Sequence, residues 1–416
     1  CTTMSYEVSA KIQGALDQLL AQESVKSALA FAEQDADQTL ENQIELCKIE
    51  APTFHEENKA ARYAQFYKDL GLDDVHIDKH GNVVGIRRGT GNGKRVLMEG
   101  HMDTVFPLGT NPQPRREGTR VYAPGIVDDT RGMVVPLSVI RSLDAANIKT
   151  VGDLYFVGTV EEEGIGSFGG MKTWLDDNAV DASISVDGPS AKGIIYEATG
   201  HMTCEATFHG IGGHAHGAFG KVANPLNAAA RAVAKIADFQ VPSDPKTSFC
   251  VSNFHAGNDA GIHAIVPEAT IKFNFRSDSQ QVLDELYQRI LNALQEACDE
   301  ETARWGQDTI TFTHKRYANV PAGTQDVHSP IVEATYAVIR SLGYEPEFLH
   351  GGSTNCNMAI GKNIPAVCLG AGGEDCGAHT LQEFFETTDA YKGVQQALLL
   401  ALLLAGVDGV IPSILE

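Results

Sequence analysis

Short apolar runs rich in β-branched or aromatic residues alternate with helical segments along much of this chain, and this alternation restricts its fold more than any other feature. The runs predicted to be strands are Arg95–Glu99, Leu154–Val160, Ala182–Val186 and Ala366–Leu369. Helical patterns at Gly132–Ala146 and Ser167–Asp176 separate the first three of them. Strands that alternate with helices form βαβ units, whose strands lie parallel in one sheet. The sequence therefore predicts an α/β domain with a mostly parallel sheet.

The stretch from residue 199 to residue 318 has a different order of predicted elements. In chain order they are Gly200–His209, Asn224–Ala237, Ser248–His255, Ala264–Phe275, Gln280–Glu300 and Thr309–His314. They form the series strand, helix, strand, strand, helix, strand, which is the order of a ferredoxin-like α+β domain. We therefore expect residues 199–318 to form a separate domain, inserted into an α/β domain made of residues 1–198 and 319–416.

The charge of the chain excludes some classes of partner. Its 416 residues include 32 Lys and Arg but 54 Asp and Glu, which gives a formal net charge of −22. Because no basic run is long enough to hold a phosphate backbone, nucleic acid is not expected as a partner. The longest apolar stretch, Ala397–Ala405, is far shorter than the roughly 20 residues that cross a bilayer, so no membrane span is expected.

The N-terminal residues bear on the cellular location. They show no basic, apolar and small-residue signal pattern, so the sequence predicts a cytoplasmic protein. The alternative is an exported lipoprotein in which Cys1 is the processed lipid-attachment residue.

Histidine and acidic residues cluster where the predicted strands end. The motifs are Gly100-His101-Met102-Asp103, Asp128-Asp129, Glu161-Glu162-Glu163-Gly164, Asp187-Gly188-Pro189 and Ala378-His379-Thr380. Four of these motifs follow strands, and the Asp pair stands just before the helix at Gly132–Ala146. Because the carboxyl ends of parallel strands lie at one edge of the sheet, we expect these side chains to converge there.

So many carboxylates in one crevice would repel one another unless cations balance them. A pair of divalent cations would remove that cost, and the sequence offers no comparable positive charge. Histidine and carboxylate ligands without a thiolate suit zinc, and less specifically cobalt or manganese. In the pair His101-x-Asp103, the acid is placed to accept a proton from the second ring nitrogen of the histidine, which would fix its tautomer.

Taken together, the motifs resemble those of the dizinc metallopeptidases, a family that includes aminoacylases, acetylornithine deacetylase, succinyl-diaminopimelate desuccinylase, glutamate carboxypeptidase and peptidase T. The resemblance lies in Gly100-His101-Met102-Asp103-Thr104-Val105, Gly125-Ile126-Val127-Asp128-Asp129, Glu162-Glu163-Gly164, Asp187-Gly188 and His379-Thr380. It covers nearly the whole chain, with the motifs in the same order. It implies a zinc-hydrolase catalytic domain whose inserted domain acts as a lid and a dimerisation domain.

The resemblance also implies two Zn²⁺ ions per chain and a ligand set. One ion would be held by His101 and Asp187, the other by Glu163 and His379, and both by Asp128. Asp129 stays open as the alternative bridging residue. Glu162 is implied as the general base, although the run of three Glu leaves base and ligand uncertain by one position. Asp103 is implied as the residue that orients His101.

Residues of the inserted domain and of a glycine-rich loop are implied as further site residues. His214 would reach the active site of the partner subunit in a homodimer and support the oxyanion, with a flexible turn as the alternative. Arg276, at the end of a predicted strand, could pair with a substrate carboxylate or form a surface ion pair. The other implied substrate contacts are His263, Gly352, Ser353 and Asn355.

The resemblance implies hydrolysis of an amide bond in a small peptide or N-acyl amino acid. We favour a di- or tripeptide exopeptidase of the peptidase T or glutamate carboxypeptidase kind over an N-acyl-amino-acid deacylase. A non-catalytic binding relative is disfavoured because every implied ligand and the base are present. The segment Gly164–Gly169 also matches the dinucleotide pattern GxGxxG, but Glu161, Glu162 and Glu163 would repel a pyrophosphate.

Overall fold

The computed structural model describes residues 5–306, 310–374 and 376–416. The chain divides into a first unit, Cys1–Ala198 with Thr324–Glu416, and a second unit, Thr199–Gly323. The expected boundary at residue 318 falls inside strand Thr311–Val320, which belongs wholly to the second unit.

The helices and strands are numbered here along the described part of the chain. The helices are α1 Ala10–Ala21, α2 Glu23–Gln34, α3 Ala36–Cys47, α4 Glu57–Asp69, α5 Thr130–Ala145, α6 Gly169–Asp177, α7 Pro225–Ala237, α8 Gln280–Trp305, α9 Pro330–Ser341, α10 Cys356–Ile360 and α11 Tyr391–Ala405. The strands are β1 Asp73–Ile77, β2 Val83–Arg87, β3 Val96–His101, β4 Arg115–Glu117, β5 Arg120–Tyr122, β6 Leu154–Thr159, β7 Ala182–Val186, β8 Gly193–Ile195, β9 Gly200–His209, β10 Gly213–His214, β11 Thr247–Ala256, β12 Ala264–Ile265, β13 Glu268–Ser277, β14 Thr311–Val320, β15 Glu347–Phe348, β16 Ala366–Leu369 and β17 Phe384–Glu386.

The first unit is built on an eight-stranded sheet in the order β1-β2-β6-β3-β7-β16-β8-β15. Its four central strands, β6, β3, β7 and β16, run parallel to their neighbours within this group. Every residue of β3, β7 and β16 is buried, as expected for parallel strands covered on both faces. Helices α5 and α11 pack on β3. The predicted α/β class with a mostly parallel sheet is confirmed.

The second unit has a four-stranded antiparallel sheet in the order β11-β13-β9-β14, with α7 and α8 packed on it. The prediction of a single strand over Ala264–Phe275 is wrong. It forms β12, paired with β10, and then β13, paired with β9 and β11. Pro267 stands at the break, where its missing N–H cannot contribute to a strand ladder.

Among the helices of the described residues, none has both the length and the apolar character needed to cross a membrane. Cys1, the residue on which the lipoprotein alternative rests, lies outside the described residues.

A glycine in the first unit offers a test of the packing beside β3. A Cβ added at Gly152 would lie 1.7 Å from the backbone oxygen of Lys94. Gly152→Ala is therefore expected to lower the free energy of unfolding by about 1–3 kcal/mol, because the backbone must move to relieve the overlap. Gly14→Ala in α1 is the matched control, since nothing lies within 4 Å of its added Cβ.

The two variants are expected to change stability in opposite directions. Alanine in place of a helical glycine stabilises by roughly 0.5–1 kcal/mol, so Gly14→Ala should raise the urea midpoint of unfolding. Equal midpoints for Gly152→Ala and the unaltered protein would contradict the close contact with Lys94.

Candidate metal centre

Three neighbouring parallel strands bring the predicted residues to one edge of the sheet. His101 ends β3, Glu162 and Glu163 follow β6, and Asp187 follows β7. Strand β3 pairs with both β6 and β7, so their carboxyl ends lie side by side. Asp128 and Asp129 stand immediately before α5, which packs on β3. Local chain order and sheet pairing together explain why these residues meet.

Asp128 lies between two histidine rings. Its Oδ1 is 3.1 Å from Nε2 of His101, and its Oδ2 is 2.7 Å from Nε2 of His379. One carboxylate thus presents each of its oxygens to a different imidazole. This is the placement that a carboxylate shared by two metal ions requires.

The remaining carboxylates fall on either side of Asp128. Glu163 Oε1 is 3.3 Å from Nε2 of His379, and Asp187 Oδ2 is 3.7 Å from Nε2 of His101. The structure therefore has one His–carboxylate pair at each end of the Asp128 carboxylate.

Asp129 is the second candidate for the shared carboxylate. Its Oδ2 accepts the backbone N–H of His101 at 3.0 Å, so this oxygen is already engaged. Ligand atoms of His101, Asp129 and Asp187 nevertheless lie within 4.8 Å of one another, as do those of His101, Asp128 and Glu163. Of these two neighbouring acids, Asp128 is the one that pairs with His379, with its Oδ2 2.7 Å from Nε2 of the histidine.

The pKa values of the centre's carboxyl groups show that burying their ionised forms without cations costs free energy. Burial raises the pKa of Glu163 and of Asp187 to about 7 each. Burial alone would also raise the pKa of Asp128, but its hydrogen bonds to His101 and His379 hold that pKa well below its usual range. Divalent cations would remove this cost, and a nitrogen and oxygen donor set without thiolate suits them. The residues present therefore fit a metal pair.

Asp103 makes hydrogen bonds beyond the predicted one to His101. Nδ1 of His101 is 2.9 Å from the backbone oxygen of Asp103 and 3.3 Å from its Oδ1. The same carboxylate accepts the backbone N–H groups of Glu162 and Glu163, both at 3.0 Å. Its Oδ2 also accepts the hydroxyl of Thr53 at 2.8 Å. Asp103 therefore links the end of β3 to the segment that carries Glu162 and Glu163.

Glu383 is a site residue that sequence reasoning missed. It is fully buried, and its Oε2 accepts the backbone N–H groups of Val127 at 2.8 Å and Asp128 at 3.1 Å. Burial raises the pKa of this carboxyl to about 7. Glu383 fixes the backbone of Asp128, but nothing in its spacing from His379 indicates this role.

Asn355, predicted as a substrate contact, has a buried amide group. Its Nδ2 donates to Oε2 of Glu99 at 3.0 Å and to Oγ1 of Thr159 at 2.9 Å. Asn355 thus anchors the glycine-rich loop to β3 and β6 instead of presenting its nitrogen to a substrate. Substrate contacts by Gly352 and Ser353, which precede it, stay a prediction.

The other predicted residues lie in the second unit. His214 is exposed in β10, and its Nδ1 accepts the backbone N–H groups of His216 and Gly217 at 3.2 and 3.1 Å. His263 is exposed next to β12, and Arg276 is exposed near the end of β13. Their roles in substrate binding and catalysis stay predictions.

Comparison with known proteins adds independent findings. Residues 97–403 match peptidase family M20/M25/M40. A succinyl-diaminopimelate desuccinylase from Leptothrix cholodnii is 25% identical over 353 residues, which cover 79% of this chain and 88% of that protein.

Solved structures share the fold. Aminopeptidase PepT from Bacillus cereus matches with a TM-score of 0.72 at 21% identity, over 88% of this chain and 97% of that chain. A Bacillus subtilis protein described as a dinuclear metal binding peptidase from family M20 matches with a TM-score of 0.65 at 13% identity, over 90% of this chain and 98% of that chain.

Proposed function

This chain belongs to peptidase family M20/M25/M40, and we propose that within this family it is a dizinc exopeptidase that cleaves di- and tripeptides. Membership confirms the resemblance seen in the motifs and identifies the protein as a metal-dependent amide hydrolase. The observation that carries the proposal is the Asp128 carboxylate, whose two oxygens face His101 and His379.

We assign the ligands from the set that the motifs imply, and the distances around the Asp128 carboxylate support this assignment. His101 and Asp187 would hold one ion, Glu163 and His379 the other, and Asp128 both. When bound, two such ions lower the pKa of a shared water toward neutrality and stabilise negative charge on a carbonyl oxygen.

Glu162 is the residue to which we assign proton transfer. It is almost completely buried, and its Oε2 lies 3.6 Å from Nε2 of His101. Burial raises the pKa of Glu162 well above its ordinary value. A group of this kind can accept a proton from the attacking water and return it to the leaving nitrogen near neutral pH. The backbone N–H of Glu162 donates to Oδ1 of Asp103, and this bond fixes the backbone position from which the Glu162 side chain extends.

The surroundings of the centre favour peptides with apolar side chains. Exposed apolar residues stand two positions after Asp103, Glu163 and His379 in the chain, namely Val105, Ile165 and Leu381. Ile165 is 76% exposed and Leu381 is 65% exposed. Exposed apolar side chains close in the chain to site residues are candidates for a binding surface.

A deacylase is the second candidate, because the matched Leptothrix cholodnii protein is named as a desuccinylase. A succinyl group ends in a carboxylate, which gains nothing from the apolar residues Val105, Ile165 and Leu381. The peptide proposal therefore fits the surroundings of the centre better.

One substrate panel tests the proposal. Leucine, phenylalanine and aspartate di- and tripeptides, together with N-acetyl- and N-succinyl-leucine, would be assayed with zinc, cobalt or manganese. We expect leucine and phenylalanine peptides to have a kcat/KM roughly 10–200-fold above that of aspartate peptides, the range for an apolar pocket. Fastest cleavage of N-succinyl-leucine would indicate the deacylase instead, and no cleavage with any metal would overturn both.

The homodimer and the cytoplasmic location remain part of this proposal. Strands β11 and β14 are the edges of the second unit's sheet, and an edge strand can pair with its own copy about a two-fold axis. In such a dimer, the partner subunit's His214 would be the residue that supports the oxyanion.

A further inference from the structure

The backbone of Glu161 turns sharply where the chain leaves β6 and enters the metal centre. Glu161 stands directly before Glu162, and its φ angle of 60° lies in the left-handed region. A residue with a side chain rarely adopts this conformation, because its Cβ comes too close to a neighbouring carbonyl oxygen. The intrinsic preference of a glutamate therefore does not explain the turn, and contacts with the rest of the unit must hold it.

The two residues after this turn are fixed to different extents. The backbone N–H groups of Glu162 and Glu163 both donate to the carboxylate of Asp103. The backbone oxygen of Glu163 also accepts the N–H of Gly166 at 3.0 Å, so Glu163 is held from the side that follows it as well. Glu162 has Glu161 as its neighbour on the N-terminal side, so the conformation of Glu161 determines the direction in which Glu162 enters the centre.

The side chain of Glu161 is paired with His80. Its Oε2 lies 2.6 Å from Nε2 of the histidine. His80 belongs to a tight loop in which Oδ1 of Asp78 accepts the backbone N–H groups of His80 at 2.9 Å and Asn82 at 3.0 Å. Oδ1 of Asn82 in turn accepts the backbone N–H of Val160 at 3.1 Å. The loop is thus tied to the residue before Glu161, and His80 holds the Glu161 carboxylate in a defined place.

The glycine-rich segment Gly164–Gly169 leaves room for this arrangement. A Cβ added at Gly169 would lie 2.4 Å from Oε2 of Glu161 and 3.4 Å from Nε2 of His80. A Cβ added at Gly166 would lie 2.5 Å from the backbone oxygen of Glu161. Two glycines of the pattern that matches a dinucleotide motif therefore serve the packing of Glu161.

We infer that His80 and Glu161 form a positioning pair for Glu162. Their contact holds Glu161 in the left-handed conformation, and this conformation directs the Glu162 side chain toward the metal centre. The inference rests on the proposed role of Glu162 in proton transfer. A reacting group displaced by about 1 Å can cost about 100-fold in rate, so the pair affects turnover without taking part in the reaction.

Kinetic constants of metal-loaded variants with the best-cleaved dipeptide test the inference. His80→Ala removes the partner of Glu161, and Glu161→Ala removes the side chain itself. Each should lower kcat by about 10–100-fold with little change in KM, as expected when only the transition state is affected. The metal content should stay unchanged, because Glu163 is held from both sides.

A neighbouring ion pair provides the matched control. Lys79 precedes His80 and pairs with Asp177 at 3.1 Å on the surface. Lys79→Ala should leave kcat unaltered, since exposed ion pairs contribute little. Unchanged kcat in both His80→Ala and Glu161→Ala would overturn the inference. Loss of metal in parallel with activity would also overturn it, because the pair would then support the ligand Glu163.

Two further changes at Glu161 separate a backbone role from a role of the charge. Glycine adopts a positive φ without steric cost, so Glu161→Gly should keep more of its kcat than Glu161→Ala. Adding His80→Ala to Glu161→Gly should then lower kcat by less than about twofold, because the two changes remove one contact. Glu161→Gln keeps an oxygen that can accept from His80 and should stay within about threefold of the unaltered protein. Fully additive losses in the double variant would show that His80 acts independently of Glu161 and would contradict the pair.

Glu162→Gln in the same assay distinguishes failure of this inference from failure of the proposed function. If Glu162→Gln is inactive while His80→Ala and Glu161→Ala keep full kcat, Glu162 transfers the proton and only the positioning role is wrong. If Glu162→Gln keeps near-native turnover, the assignment of Glu162 is wrong and the positioning role is overturned with it.

Discussion

Replacing Glu162 with Gln is expected to lower turnover by about 10²–10⁴-fold while the metal content stays that of the unaltered protein. The amide has nearly the same shape, but it cannot accept a proton from water and return it to the leaving nitrogen. Glu162 is not among the side chains whose ligand atoms cluster for a metal, so its replacement should leave the ions in place. Elemental analysis and a dipeptide assay on the same preparation measure both quantities.

Glu163→Gln is the matched control, because it makes the same chemical change at the next residue. Glu163 Oε1 lies 3.3 Å from Nε2 of His379, where a ligand is expected. This variant should lose metal as well as activity. If Glu163→Gln kept its metal and Glu162→Gln lost it, the base and the ligand would be exchanged in the Glu triplet.

The position of these residues could be predicted because local chain order determines it. Strands β7 and β16 have the predicted bounds, the motif Gly100-His101-Met102-Asp103 includes the last two residues of β3, and the Glu triplet begins two residues after the end of β6. Once parallel strands are recognised, their carboxyl ends must share an edge. The candidate ligands His101, Asp187 and Glu163 follow from that rule together with their residue types.

The residues that hold the ligands in place could not be predicted in this way. Thr53 reaches Asp103 from 50 positions away, and Glu383 reaches the backbone of Asp128 from 255 positions away. Neither contact produces a periodic pattern in the sequence, because a single side chain meets a distant partner group only after the whole unit has folded. For the same reason, the sequence could not predict that the amide nitrogen of Asn355 donates to Glu99 and Thr159.

Asp128→Asn is expected to reduce the metal content from about two ions per chain to one or fewer and to abolish most activity. The amide offers one oxygen and an NH₂ group, so it cannot present an acceptor oxygen toward both His101 and His379. Loss of the shared carboxylate also removes the negative charge that offsets two closely spaced cations. Mass spectrometry of bound metal and dipeptide hydrolysis measure the two effects.

Asp129→Asn separates the two acidic neighbours, since it makes the same change one residue later. Burial, together with the charge of Asp187, holds the pKa of Asp129 well above its usual range, so an uncharged amide resembles its neutral form. The Asn oxygen can still accept the backbone N–H of His101, which Asp129 accepts at 3.0 Å. Metal content should therefore stay near that of the unaltered protein, with a loss of affinity or activity of about 10–100-fold at most, typical of a residue that supports a ligand. If Asp129→Asn lost both ions while Asp128→Asn kept them, Asp129 would be the shared ligand, and the position of Asp128 between the two histidines would have no role in metal binding.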